Sequence, residues 1–152
     1  MEYKKINYIK KIGFLAYVCF LYYVWFCRMK FYIETDYWTT IHYNMNLIPF
    51  RTINYYISEL STGNAVEDNW NAIENIFGNI IIVLPIGYIL FQRKICFFRG
   101  LLFSILLFAG IELIQLFTLR GICDIDDLIL NTGGVVIGYL IAYGTAVKIV
   151  KE

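Results

Sequence analysis

Histidine is nearly absent from this chain: His42 is the only one. A Ser/His/Asp or Cys/His nucleophilic site therefore has little to draw on. The four cysteines, Cys19, Cys27, Cys96 and Cys123, form no Cys-x-x-Cys pair and no zinc spacing. Cys19 lies inside an apolar run, Cys27 and Cys96 at run ends, where free Cys is ordinary apolar filler. Cys123 lies in a polar stretch without a thiolate-stabilising His beside it. Charge is scarce as well. Charged residues make up 16% of the chain, against roughly 25% in an average soluble domain. Their balance is +1, which excludes the strongly basic surface of a nucleic-acid binder. No internal repeat is visible. That counts against a transporter built from repeated halves with Glu112 as its proton site, for which about four spans leave little room.

What is abundant is apolar. Hydrophobic residues are 59% of the 152 and mean hydropathy is +0.60. They gather in four runs, which predicts an all-α polytopic integral membrane protein. The predicted spans are 11–28, 75–91, 100–119 and 128–150. A basic amino end before an apolar run is also how a signal peptide starts, but no small-residue cleavage site follows here, so the first helix is expected to be retained. Pro85 and Gly87 fall inside the second span and predict a kink supported by neighbouring helices.

Residues 29–74 form the longest polar segment, with Glu34, Asp36, Glu59, Glu67, Asp68 and Glu74 among Trp38, Tyr43, Phe50, Tyr55, Tyr56 and Trp70. Amphipathic aromatics favour the headgroup region, so this is expected to be an extracellular loop with interfacial helices. It should bend at Asn46-Leu-Ile-Pro-Phe50, because Pro49 fixes its own φ and disfavours helix at Ile48. A polar turn is expected at Ser61-Thr-Gly-Asn64. Lys and Arg concentrate at both chain ends and in the 92–99 turn, whereas the 29–74 and 120–127 connections are acidic. The positive-inside rule then predicts both termini in the cytoplasm.

Polar groups inside spans are costly and mark function. Here they concentrate between Glu112 and Gly138. Glu112 and Gln115 are three apart near the end of the third span, with Arg120 just beyond. Asp124, Asp126, Asp127 and Asn131 crowd the start of the fourth, and Asn75 and Asn79 lie near the start of the second. All fall at one membrane face. Asp124, Asp127, Asn131, Gly134 and Gly138 step by three or four, one helical stripe. Gly134 and Gly138 are a GxxxG pair, ordinarily a packing device. Asp126 or Asp127 could simply cap the fourth helix, and Glu112 could pair structurally with Arg120 or Asn79. Two functional readings stand beside these. The acids could hold a divalent cation, with Asp124, Asp126 and Asp127 as candidate ligands, and with Arg51 and Arg120 handle a phosphorylated lipid as a metal-assisted enzyme. Alternatively, the cluster binds a polar headgroup or a peptide without chemistry.

Three blocks resemble the VanZ family of membrane proteins. They are Asn46-Leu-Ile-Pro-Phe-Arg-Thr52; Gly78-Asn79 with Pro85-Ile-Gly87; and Glu112-Leu-Ile-Gln115, Arg120, Asp124-Ile-Asp-Asp-Leu-Ile-Leu-Asn131, Gly134 and Gly138. The likeness covers roughly residues 43–140. Gly133 stands where a larger apolar residue is expected and should loosen the start of the fourth helix, and Cys123 replaces an often bulkier residue. The resemblance implies a bacterial plasma-membrane protein that lowers susceptibility to teicoplanin-type lipoglycopeptides without altering the D-Ala-D-Ala target. The expected partners are membrane lipids, the drug or a lipid-linked cell-wall precursor. The expected working set is Arg51, Asn79, Glu112, Gln115, Arg120, Asp124, Asp126, Asp127 and Asn131, with no catalytic residue assigned. A divalent cation is the one cofactor the reading admits. An enzyme acting on an envelope pyrophospholipid is the alternative.

Overall fold

The computed structural model describes residues 2–27, 36–62 and 66–151. Residues 29–35 of the predicted outer loop, Glu34 among them, and the end of its polar turn lie outside the described residues. Six helices follow in order: α1 (Glu2–Phe26), α2 (Tyr37–Tyr43), α3 (Arg51–Thr62), α4 (Val66–Gln92), α5 (Phe97–Phe117) and α6 (Ile125–Lys151). Two short strands, β1 (Met45–Asn46) and β2 (Cys123–Asp124), pair in parallel.

Among the described residues, four helices are long and apolar enough to cross a membrane: Tyr8–Phe26, Trp70–Gln92, Phe97–Phe117 and Ile125–Lys148. The protein is an all-α polytopic membrane protein. Large apolar side chains on these helices face outward, among them Phe14, Leu15, Ile81, Phe103, Leu106 and Leu140. In water such a surface would aggregate; in a bilayer it is the lipid-facing side.

The helices begin and end where the backbone's orphan groups find partners. α4 ends at Gln92 because Lys94 turns left-handed (φ 56). The Ile95 and Lys94 N–H groups then reach back to the Leu90 and Phe91 carbonyls at 3.1 and 2.8 Å, a Schellman closure. α5 ends the same way, two residues earlier than expected. Leu119 is left-handed (φ 53), Arg120 N–H bonds Gln115 O at 2.8 Å, and Leu119 N–H bonds Leu116 O at 3.1 Å. α6 starts at Ile125, three residues before the predicted 128, because Asp124 caps it: Asp124 Oδ1 accepts the Asp126 N–H at 2.9 Å.

The centre of the bundle is the pair α4 and α6, which run parallel and touch through backbone. A Cβ on Gly134 would overlap the Ile80 carbonyl, one on Gly138 the Leu84 carbonyl, and one on Gly87 the Val135 carbonyl. Glycine at these three positions lets the axes close until Cα–H groups meet carbonyl oxygens. Val83 and Val135 are buried there, with Phe108 of α5 and Leu21 and Trp25 of α1 around them. Trp25 meets Phe108 edge-on at 6.0 Å. Pro85 lies inside α4 without ending it. It has no N–H for the Ile81 carbonyl, which disturbs this turn. At the adjacent position the Tyr17 hydroxyl of α1 donates to the Ile82 carbonyl at 2.6 Å. The first helix is thus tied to the turn that Pro85 disturbs.

Candidate functional site

The polar residues gather at the end of the bundle where α4 begins, α5 ends and α6 begins. The two-residue ladder joins this end to the segment before α3: Met45 pairs with Cys123 and Asn46 with Asp124, and Cys123 N–H donates to Asn44 O at 2.9 Å. Neither strand has length or alternation enough to be visible in a sequence.

Asp126 is fully buried. Its carboxylate accepts the Phe50 N–H on Oδ1 at 2.5 Å, and the Thr52 and Ile53 N–H groups on Oδ2 at 2.8 and 3.0 Å. These are the orphan donors at the start of α3. Asp126 was read as a cap of the fourth helix or a metal ligand; it instead caps α3 from a different part of the chain. Phe50 turns left-handed there (φ 64), a conformation bulky residues hold only when their surroundings over-determine it. The N–H pointed at Asp126 is part of that determination.

Asp124 is committed too. Besides capping α6, its Oδ1 accepts Asn46 Nδ2–H at 3.1 Å, and its Oδ2 accepts the Thr52 hydroxyl at 2.5 Å. Asn46 Nδ2 also donates to Thr52 Oγ1 at 2.9 Å. The Asn46–Thr52 block is therefore a strap whose polar residues answer Asp124 and Asp126. Nothing in the spacing of Asn46 and Thr52 alone assigns them this role.

Glu112 is buried and accepts the Asp124 N–H on Oε2 at 3.0 Å. This replaces the Arg120 or Asn79 partner considered from the sequence. Asn79 instead donates to Asp127 Oδ1 at 2.7 Å. Through the Asp124 N–H, Glu112 is tied to the start of α6, three residues before Asp127. Tyr56, one helical turn after Thr52 on α3, completes this group. Its phenol is half-buried, and burial, then the charges of Asp127, Tyr55 and Asp124, push its pKa above the ordinary tyrosine value. Sequence reading took Tyr56 as an interfacial aromatic; its i, i+4 relation to Thr52 is the signal that turns it inward.

Gln115 works as a tether. Its Nε2 donates to the Trp25 carbonyl of α1 at 2.6 Å, and Gly121 packs against its side chain. Asn131 is 3% exposed, and its buried Oδ1 has no hydrogen-bond partner. Arg51 and Arg120 are exposed and form no ion pair with the cluster. Cys123 is buried, and desolvation, then Glu112 and Asp124, push its thiol up to about 11. That makes it a poor nucleophile.

Among the described residues, no three His, Cys, Asp or Glu side chains are grouped so as to hold a metal ion. The candidate set Asp124, Asp126 and Asp127 is not such a group, because each carboxylate turns to a different partner: the strap, the α3 amino end and Asn79.

The family described as VanZ/LLP1 matches residues 14–149 of the chain. No curated protein matches, and no solved structure matches.

Proposed function

Because the chain belongs to the VanZ/LLP1 family, we propose that it lowers susceptibility to teicoplanin-type lipoglycopeptides by binding a ligand at its polar cluster. The observation that supports this most is the concentration of polar groups at one bundle end. Buried Glu112, Asp127 and Asn131 and half-buried Asn79 and Tyr56 gather beside a strap that Asp124 and Asp126 hold in register. Such a cluster costs folding energy that a purely apolar bundle would avoid. The Lys/Arg distribution favours both termini in the cytoplasm of a bacterial cell, with the cluster at the outer face of the plasma membrane. The ligand would be a membrane lipid, a lipid-linked cell-wall precursor or the drug. A lipophilic tail concentrates a teicoplanin-type drug in the bilayer, where a membrane site competes for it.

The alternative, a metal-assisted enzyme on an envelope pyrophospholipid, asks Asp124, Asp126 and Asp127 to share an ion. The geometry favours the binding reading, because two of the three carboxylates are used to build the strap.

Expression in a sensitive host tests the proposal. Teicoplanin susceptibility should fall while vancomycin susceptibility moves little. No change in teicoplanin susceptibility, with the protein verified in the membrane, would overturn it.

A further inference from the structure

Once the groups with structural duties are set aside, the cluster has a distinct remainder. Asp126 is spent on α3, Asp124 on Asn46, Thr52 and its own helix, and Gln115 on α1. Glu112 and Asp127 each use one oxygen, Oε2 and Oδ1, on a protein donor. The two carboxyl groups are neighbours through the start of α6: Glu112 is bonded to the Asp124 N–H, three residues before Asp127. Asn131 adds an independent observation. It lies on α6 between Asp127, one turn before, and Gly134, one turn after; both of those face α4. Its amide is therefore directed to the same interior face, yet its buried Oδ1 has no protein partner. A buried acceptor without a partner costs roughly 1–3 kcal/mol, which a purely structural position would shed by becoming apolar.

We infer that Glu112, Asp127 and Asn131 form a binding site for a primary ammonium group. The inference rests on the cluster being a ligand site and names the class of ligand. The set offers acceptor oxygens, two of the three side chains being carboxyl groups that a bound cation would hold ionised. Its complement is a cation carrying hydrogen-bond donors. A primary ammonium has three N–H groups, one for each side chain. A hard divalent ion fits less well, since it needs about six oxygen ligands and only two carboxylates remain uncommitted. The amine could come from an outer-leaflet ethanolamine headgroup or from a free amine. Arg51 and Arg120, exposed at the same end, would favour the former, since they suit the phosphate of a zwitterionic lipid.

The test uses the full chain, purified in mild detergent. It is titrated with phosphatidylethanolamine, phosphatidylcholine and phosphatidylglycerol of one acyl length, and bound lipid is counted by native mass spectrometry. Phosphatidylethanolamine should bind about tenfold or more tightly than phosphatidylcholine, whose methylated ammonium lacks N–H donors, the scale of a charge-assisted hydrogen bond. Excess ethanolamine decides the source: displacement assigns the amine itself, retention assigns the whole headgroup. Glu112→Gln and Asp127→Asn keep the acceptors that Asp124 N–H and Asn79 use, so both should remain folded and lose the preference about tenfold. Asn131→Leu, which removes an unpartnered buried oxygen, should raise the unfolding temperature and also lose the preference. Arg93→Ala, at the opposite end, should change nothing. Equal binding of the ethanolamine and choline lipids overturns the inference, as does full preference in the folded Gln, Asn and Leu variants. Teicoplanin susceptibility of the same variants separates the two ideas. If they lose protection although no amine preference exists, the proposed function stands and the ammonium assignment falls. If the amine preference is as expected but susceptibility never changes, the reverse holds.

Discussion

Three backbone N–H groups at the start of α3 depend on one carboxylate, that of Asp126. Hydrogen bonds to charged groups contribute roughly 1.5–3 kcal/mol each, and buried donors left alone cost more. Asp126→Ala should therefore destabilise the protein by about 3 kcal/mol or more. It should also free α3, read as new protease cleavage within residues 51–62 and a lower unfolding temperature. Asp126→Asn keeps one carbonyl acceptor and should fall between. An Ala variant as stable and as protease-resistant as the parent would show that α3 is held by something else. The acidic stretch was legible as an anomaly in the sequence, and the Asn46–Thr52 block as a second one. That they answer one another was not legible. The donors are main-chain N–H groups, which every residue carries, and the acceptor lies more than seventy positions away. No local pattern distinguishes a carboxylate that caps a distant helix from one that binds a ligand.

At the scale of elements, the α4–α6 pair tests whether glycine is needed for closeness or merely tolerated. Gly87, Gly134 and Gly138 each face backbone of the opposite helix at distances no Cβ accepts. Gly110, Gly133 and Gly144 face open space. Gly138→Ala should cost about 2–3 kcal/mol, the range for forcing an extra methyl into a packed contact. Gly133→Ala should instead stabilise by about 0.5–1 kcal/mol through helix propensity. Thermal unfolding in one detergent compares them, and equal effects at the two positions would sink the argument. The GxxxG spacing of Gly134 and Gly138 was readable in advance, because a four-residue step on a helix is a face whatever the fold. Gly87 was read as part of a kink with Pro85. Its contact with Val135 depends on where α6 lies, which spacing within α4 does not specify. The helix ends show the same division. Apolar run length locates the carboxyl ends to within a few residues, where the left-handed Lys94 and Leu119 decide the actual turn, and Asp124 sets the start of α6; α1 and α4 begin nine residues before the predicted 11 and 75, because their first turns are polar.

At the scale of the whole molecule, an even number of spans, four among the described residues, would place both chain ends on one side of the membrane. Under the charge rule that side is the cytoplasm. A reporter active only in the cytoplasm should work at either terminus and fail when inserted near residue 60. A reporter working at that inserted site and failing at both ends would invert the orientation and put the polar cluster on the inner face.

What the sequence determined by itself is the solvent the protein lives in, its class and the approximate helices. These follow from how many apolar residues stand in a row, and burying that surface in lipid needs no knowledge of neighbours. It also marked the end of the bundle that carries the polar groups, since the spans alternate in direction. Tertiary structure decided how those groups divide their labour. Asp126 and Asp124 hold a strap, the Gln115 Nε2 holds the first helix, Glu112 and Asp127 each take one protein donor, and the Asn131 Oδ1 takes none. That division depends on which donors lie within about 3 Å, and only the folded chain brings residues seventy positions apart to that distance.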